Sequence, residues 1–94
     1  MFIFLLVAKA TSENQQYSEN EKHAALAFVN GHNAASARQK LIQEMEVLNW
    51  KEIQLNKESE IGETEKQTNP ILADAFEHAK KEGFSVVIYE DAIK

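Results

Sequence analysis

The pattern of apolar and polar residues along this chain predicts four β-strands. The stretch 2–10 is an almost continuous apolar run, which is typical of a strand covered by other parts of the protein. The stretch 23–30 carries apolar residues on both alternating faces, and 85–89 is rich in valine, isoleucine and tyrosine. The stretch 53–57 alternates apolar with polar residues, so we expect a half-exposed strand toward a sheet edge, or one that continues to Ile61.

An amphipathic helix is predicted between the second and third strands. Its apolar residues recur at helical spacing, at Ala34, Ala37, Leu41, Ile42, Met45 and Leu48. Asn33 is the expected N-cap, whose side chain accepts a hydrogen bond from a first-turn amide. Ser36 is an alternative start, which would form a capping box with Gln39. We expect Trp50 to close this helix.

A second helix has clear start and stop signals. Asn69 or Thr68 is its N-cap, and Pro70 fits its first position. Gly83 is expected to end it in the left-handed conformation. The lysines at 80–81 lie near the negative end of the helix dipole. The buried stripe consists of Leu72, Ala75, Phe76 and Ala79.

The predicted elements follow the order β1-β2-α1-β3-α2-β4. Because each helix has a single apolar stripe, we expect an α+β fold, a two-layer α/β sandwich with both helices on one face of a four-stranded mixed sheet. This layout resembles the ferredoxin-like class of small α/β modules, and the resemblance implies a fold class without implying any residue's role. Strands that are apolar on both sides then leave the second face of the sheet for a partner to cover.

The 94 residues are expected to form a single domain, 1–94, with exposed polar loops at 11–22 and 58–68. Such a short chain has a thin core, and with no cysteine it gains nothing from disulfides or thiolate metal sites, so a homodimer is a natural source of additional buried surface. Tyr17 is the one side chain of the first loop able to anchor it to a surface.

The formal net charge of −5 is spread along the chain and bears on which partners are expected. It would repel phosphate backbones, so we expect no nucleic-acid partner, whereas a basic protein partner is compatible with it. The N-terminal apolar run lacks a preceding basic residue and is too short to span a bilayer, so a buried strand is favoured over a signal peptide. We therefore expect a cytoplasmic protein without a membrane partner.

The side chains able to support chemistry form no recognisable reactive motif. His23, His32 and His78 have spacings that match no metal site, and the serines lie in no nucleophile motif. Acidic pairs such as those within 58–65 are more typical of a solvated surface than of a catalytic cleft, and a weak divalent-cation site there is the alternative. We expect no cofactor, no metal and no catalytic residue, and an enzyme ranks third among the functional hypotheses.

Two sets of residues are candidates for binding. The turn formed by Asn30, Gly31, His32 and Asn33 leads from a strand into a helix N-terminus, where anions bind in many α/β proteins. Tyr17 and Trp50 are candidate interface residues, because large aromatic side chains anchor interfaces, although Trp50 also fits a core position.

These observations favour a small soluble protein-interaction or accessory domain without catalytic activity that self-associates. The alternative is a small-molecule or anion-binding module that uses the turn 30–33.

Overall fold

The computed structural model describes residues 1–62 and 68–93. The elements are β1 (Phe2–Ala10), β2 (Lys22–Val29), α1 (Ala34–Val47), β3 (Trp50–Glu60), α2 (Pro70–Glu82) and β4 (Phe84–Ile93). The predicted α+β class and element order are confirmed. Within the described residues, neither helix is long and apolar enough to cross a membrane.

The four strands form one sheet in the order β3-β1-β2-β4, and every pair of neighbours is antiparallel. The prediction of a mixed sheet is therefore wrong, because β3 and β4 are added on the two sides of a central β1–β2 hairpin, each against the direction of its neighbour. The edge position expected for β3 is confirmed, and β4 forms the second edge. The ferredoxin-like layout is not confirmed by this topology.

The two helices cover opposite faces of the sheet. Val29 and Phe28 are neighbours on β2, and their side chains point to opposite faces. Val29 belongs to a core cluster with Leu41 of α1, whereas Phe28 belongs to a second cluster with Phe76 of α2. The prediction of a two-layer sandwich with both helices on one face is therefore wrong. The strands are apolar on both sides because each face of the sheet has its own helix.

The ends of the helices follow the predicted local signals. Asn33 caps α1, with its side-chain oxygen accepting from the backbone amide of Ser36 at 2.9 Å. Asn69 caps α2 in the same way, and Pro70 is the first helical residue. Gly83 ends α2 at φ 93°, in the left-handed region that favours glycine.

Several predicted boundaries differ from the structure, and the three largest differences concern α1, β3 and β4. The first helix ends at Val47, and Trp50 is the first residue of β3 because Asn49, at φ 69°, turns the chain between them. The predicted loop 58–68 begins inside β3, which continues to Glu60, and residues 63–67 of that loop lie outside the described residues. The last strand continues to Ile93 instead of ending at Tyr89.

Candidate interaction surface along the fourth strand

The predicted binding turn packs against two other parts of the fold. The backbone amide of Asn30 donates to the carbonyl oxygen of Gly83 at 2.9 Å, which fixes the turn to the start of β4. Gly31 lies close to α1, and a Cβ at this position would stand 3.3 Å from that of Ala37. Because the side chain of Asn33 is occupied as a helix cap, Asn30, Gly31 and His32 are the predicted binding residues that face a cleft.

This cleft, which we call the lysine cleft, has a volume of about 620 Å³. It is lined by Asn30, Gly31, His32, Ser36, Lys40, Lys80, Lys81, Glu82 and Gly83. Three of its side chains are lysines, from two different helices, and one is a carboxylate. Within the described residues, neither Lys40 nor Lys81 has a carboxylate within 4.0 Å, whereas Lys80 lies 3.8 Å from Glu77. The cleft is therefore a positive spot on a chain with a net charge of −5.

The end of α2 accounts for part of this arrangement. Lys80 and Lys81 stand in the last turn, where the unpaired carbonyl groups of a helix favour positive charge. The ammonium group of Lys40 comes from α1 and lies over Gly83, at the same helix end. The sequence alone places Lys80 and Lys81 at the end of α2. It does not indicate that Lys40 lies beside them, because only the tertiary fold brings α1 to this position.

An aromatic cluster anchors the first loop to the sheet. The Tyr17 ring lies 4.0 Å from the His23 ring and 5.6 Å from the Trp50 ring, measured between centroids. Trp50 is 4% exposed and belongs to the core cluster on the α1 face. Within one chain, Trp50 therefore acts as a core residue and Tyr17 as the anchor of the loop, and a direct role for either in an interface stays a prediction.

His23 connects three segments at one end of the sheet. Its side chain is fully buried, its Nδ1 atom lies 2.7 Å from the carbonyl oxygen of Tyr89, and its Nε2 atom lies 2.6 Å from Oε1 of Glu21. The carbonyl oxygen can only accept, so Nδ1 is the donor of the first hydrogen bond, and the contact of Nε2 with Glu21 is the second. Sequence reasoning placed His23 at a strand end but gave no sign of this network, which fastens β2 to β4.

The three histidines lie in different parts of the fold. In residues 1–62 and 68–93, no group of three or more histidine, aspartate and glutamate side chains is placed to hold a metal ion. His32 lines the lysine cleft, whereas His78 lies on α2 beside the start of β4. These two histidines therefore line separate clefts.

The outer edge of β4 differs chemically from the outer edge of β3. In the described part of the chain, each of these strands pairs on one side only. β3 carries charged side chains toward both of its ends, a common protection of sheet edges against further pairing. The segment 84–89 of β4 contains no charged residue. The first six residues of β4 therefore have the composition of an interior strand at the position of an edge.

Exposed apolar side chains border this edge. Leu48, at the end of α1, is 46% exposed and shares a cleft of about 660 Å³ with Val86 of β4. On the other face, Ile71 of α2 is 65% exposed and lines a cleft of about 540 Å³ with Tyr89, which is 44% exposed. We call β4 together with Leu48 and Ile71 the β4 edge surface. A set of exposed apolar groups of this kind is typical of an interaction site.

Comparisons with known proteins add no family to this description. The chain matches no protein-family model, no curated protein and no solved structure.

Proposed function

We propose that this protein is a small protein-interaction domain, without catalytic activity of its own, that self-associates through the β4 edge surface. The observation that carries the proposal is the uncharged segment 84–89 at a sheet edge, bordered by exposed apolar side chains. An unpaired edge strand offers a row of backbone donors and acceptors that another strand can pair with.

A second copy of the chain is the occupant that this surface fits. Two β4 strands can pair antiparallel about a two-fold axis, so that the sheet continues from one copy into the other. Apolar side chains lie on both sides of the edge, with Leu48 on one face and Ile71 on the other, so both faces of the junction would gain buried surface. A 94-residue chain with a thin core is stabilised by such burial.

The proposal is tested by measuring the molar mass in solution over a range of concentrations. Light scattering and sedimentation equilibrium should show a reversible dimer for the wild type. Leu48→Lys should weaken the dimer at least tenfold, because it places a charge in the apolar contact beside Val86.

A matched control is available on the same helix. Ile42 is 40% exposed, close to the 46% of Leu48, but it does not line the described clefts that border β4. Ile42→Lys should leave the dissociation constant within about twofold of the wild type, since surface substitutions away from a contact have small effects. A wild-type protein that stays monomeric at millimolar concentration would overturn the proposal. Equal weakening by both variants would show that the β4 edge surface is not the interface.

A further inference from the structure

We infer that the two copies pair β4 against β4 in the antiparallel direction, with the acidic end of each strand, Glu90 and Asp91, placed at the lysine cleft of the other copy. The inference rests on the proposed self-association and specifies its geometry and its charged contacts. The second copy would thereby contribute carboxylates to a cleft in which three lysines face a single carboxylate, that of Glu82.

The distances within one chain argue for a second copy. The lysine cleft includes Gly83, immediately before β4, whereas Glu90 and Asp91 lie toward the other end of the strand. At the rise of an extended chain, seven residues from Gly83 to Glu90 span about 23 Å. The acidic end therefore cannot reach the lysine cleft of its own chain. Antiparallel pairing brings the first end of one β4 beside the last end of the other.

The charges on both sides are available for this contact. Lys40 and Lys81 have no carboxylate within 4.0 Å in the described part of the chain, and the same residues place no cationic group within 4.0 Å of Glu90 or Asp91. Both acidic residues are exposed. Each copy carries one cleft and one acidic end, so a two-fold pair forms the same contact twice. Such local complementarity counteracts the repulsion between two chains of net charge −5.

The regular part of β4 sets the geometry of this pair. From Phe84 to Ile88 the strand pairs with β2 in a constant register. Between Ile88 and Ala92 it has three residues where β2 has one, so the acidic end lies in an irregular part of the strand. An antiparallel pair centred within 84–88 therefore carries Glu90 and Asp91 past the first residues of the partner strand, beside the lysine cleft of that copy.

Charge reversal tests this geometry. Lys81→Glu and Asp91→Lys should each weaken the dimer about tenfold or more in sedimentation equilibrium, and the double variant should return to within about threefold of the wild-type dissociation constant. The control is Lys57→Glu, which changes the net charge as Lys81→Glu does but lies on β3 at the opposite edge. It should change the dissociation constant less than threefold. Circular dichroism confirms that each variant is folded.

The outcomes separate this inference from the proposed function. A dimer that Leu48→Lys weakens but that responds equally to Lys81→Glu and Lys57→Glu would refute the charged contact and leave the self-association standing. A folded wild-type protein that remains monomeric would refute both.

Inorganic phosphate and pyrophosphate provide the third arm of the test. If either ligand shifts the amide resonances of Gly31 and Lys81 in a monomeric protein, the lysine cleft is a site for small anions and the inference is overturned. Absence of such shifts, together with recovery of the dimer in the double variant, supports it.

Discussion

The placement of the helices on opposite faces of the sheet predicts which core substitutions interact energetically. The rings of Phe28 on β2 and Phe76 on α2 pack edge to face, with centroids 5.6 Å apart and an interplanar angle of 74°. Leu41 of α1 is equally buried but belongs to the cluster on the other face. We therefore expect coupling between Phe28→Leu and Phe76→Leu, and additive effects of Phe28→Leu and Leu41→Val.

The expected size of the coupling follows from the geometry of the ring pair. An edge-to-face aromatic pair contributes about 0.5–1.5 kcal/mol beyond the area it buries, and either Phe→Leu change removes it. Each single substitution should lower the free energy of unfolding by about 1–2 kcal/mol. A domain of this size has a free energy of unfolding of about 5–15 kcal/mol, so the double variants should still fold. The coupling between Phe28 and Phe76 should therefore be about 0.5–1.5 kcal/mol.

The measurement is urea unfolding of the wild type, the three single variants and the two double variants, followed by circular dichroism. The effects of substitutions without shared contacts on the free energy of unfolding add within about 0.3–0.5 kcal/mol. In the double-mutant cycle of Phe28 and Leu41, the coupling free energy should therefore stay below this value. If that cycle shows coupling as large as the Phe28–Phe76 cycle, the two helices share a face and the assignment of the two cores is wrong.

Three further substitutions test local features of the fold by the same unfolding assay. Gly83→Ala should lower the free energy of unfolding by about 1–2 kcal/mol, because φ is 93° at this residue. Gly62→Ala should lower it little, since no described atom lies within 4 Å of an added Cβ. Equal effects of the two substitutions would contradict the left-handed helix end. Glu21→Ala should lower the free energy of unfolding by about 1–2 kcal/mol, because Nε2 of the buried His23 loses its hydrogen-bond partner, and Glu21→Gln, which keeps a hydrogen-bonding group there, should lower it less. A larger loss for Glu21→Gln would contradict the importance of this contact. Asn69→Ala should cost about 1 kcal/mol through loss of the helix cap, and no measurable cost would show that water replaces it.

The parts of this fold that the sequence predicted correctly are those encoded by neighbouring residues. A cap such as Asn33 acts on amides within one turn, and the glycine at 83 ends a helix through its own backbone conformation. The apolar run 2–10 predicts a strand by itself, without reference to other parts of the chain, and its boundaries are confirmed. In each case the cause and the effect lie within a few residues of one another.

The errors arose where distant residues decide the outcome. The strand continues past the polar Glu90 and Asp91 because Ala92 and Ile93 pair with the start of β2, opposite His23 and Lys22. Periodicity could not assign α2 to a face, since β1 and β2 are apolar on both sides and either face would accept an apolar stripe. The lysine cleft has the same origin, because it joins side chains near positions 30, 40 and 80 that only the fold brings together.

The position of the apolar surface decides where a partner is needed. The sequence alone suggested that a whole face of the sheet would lack cover, but in the described residues each face has a helix, and both sides of β1 and β2 are paired with other strands. The segment 84–89 of β4 has the same interior composition, yet one side of this strand lacks a neighbouring strand within the described chain. The charged residues of β3 show that this protein protects its other edge. The backbone groups along the outer side of β4 are therefore the ones left for a partner, and the proposed pairing with a second β4 strand would satisfy them while burying the apolar side chains on both sides.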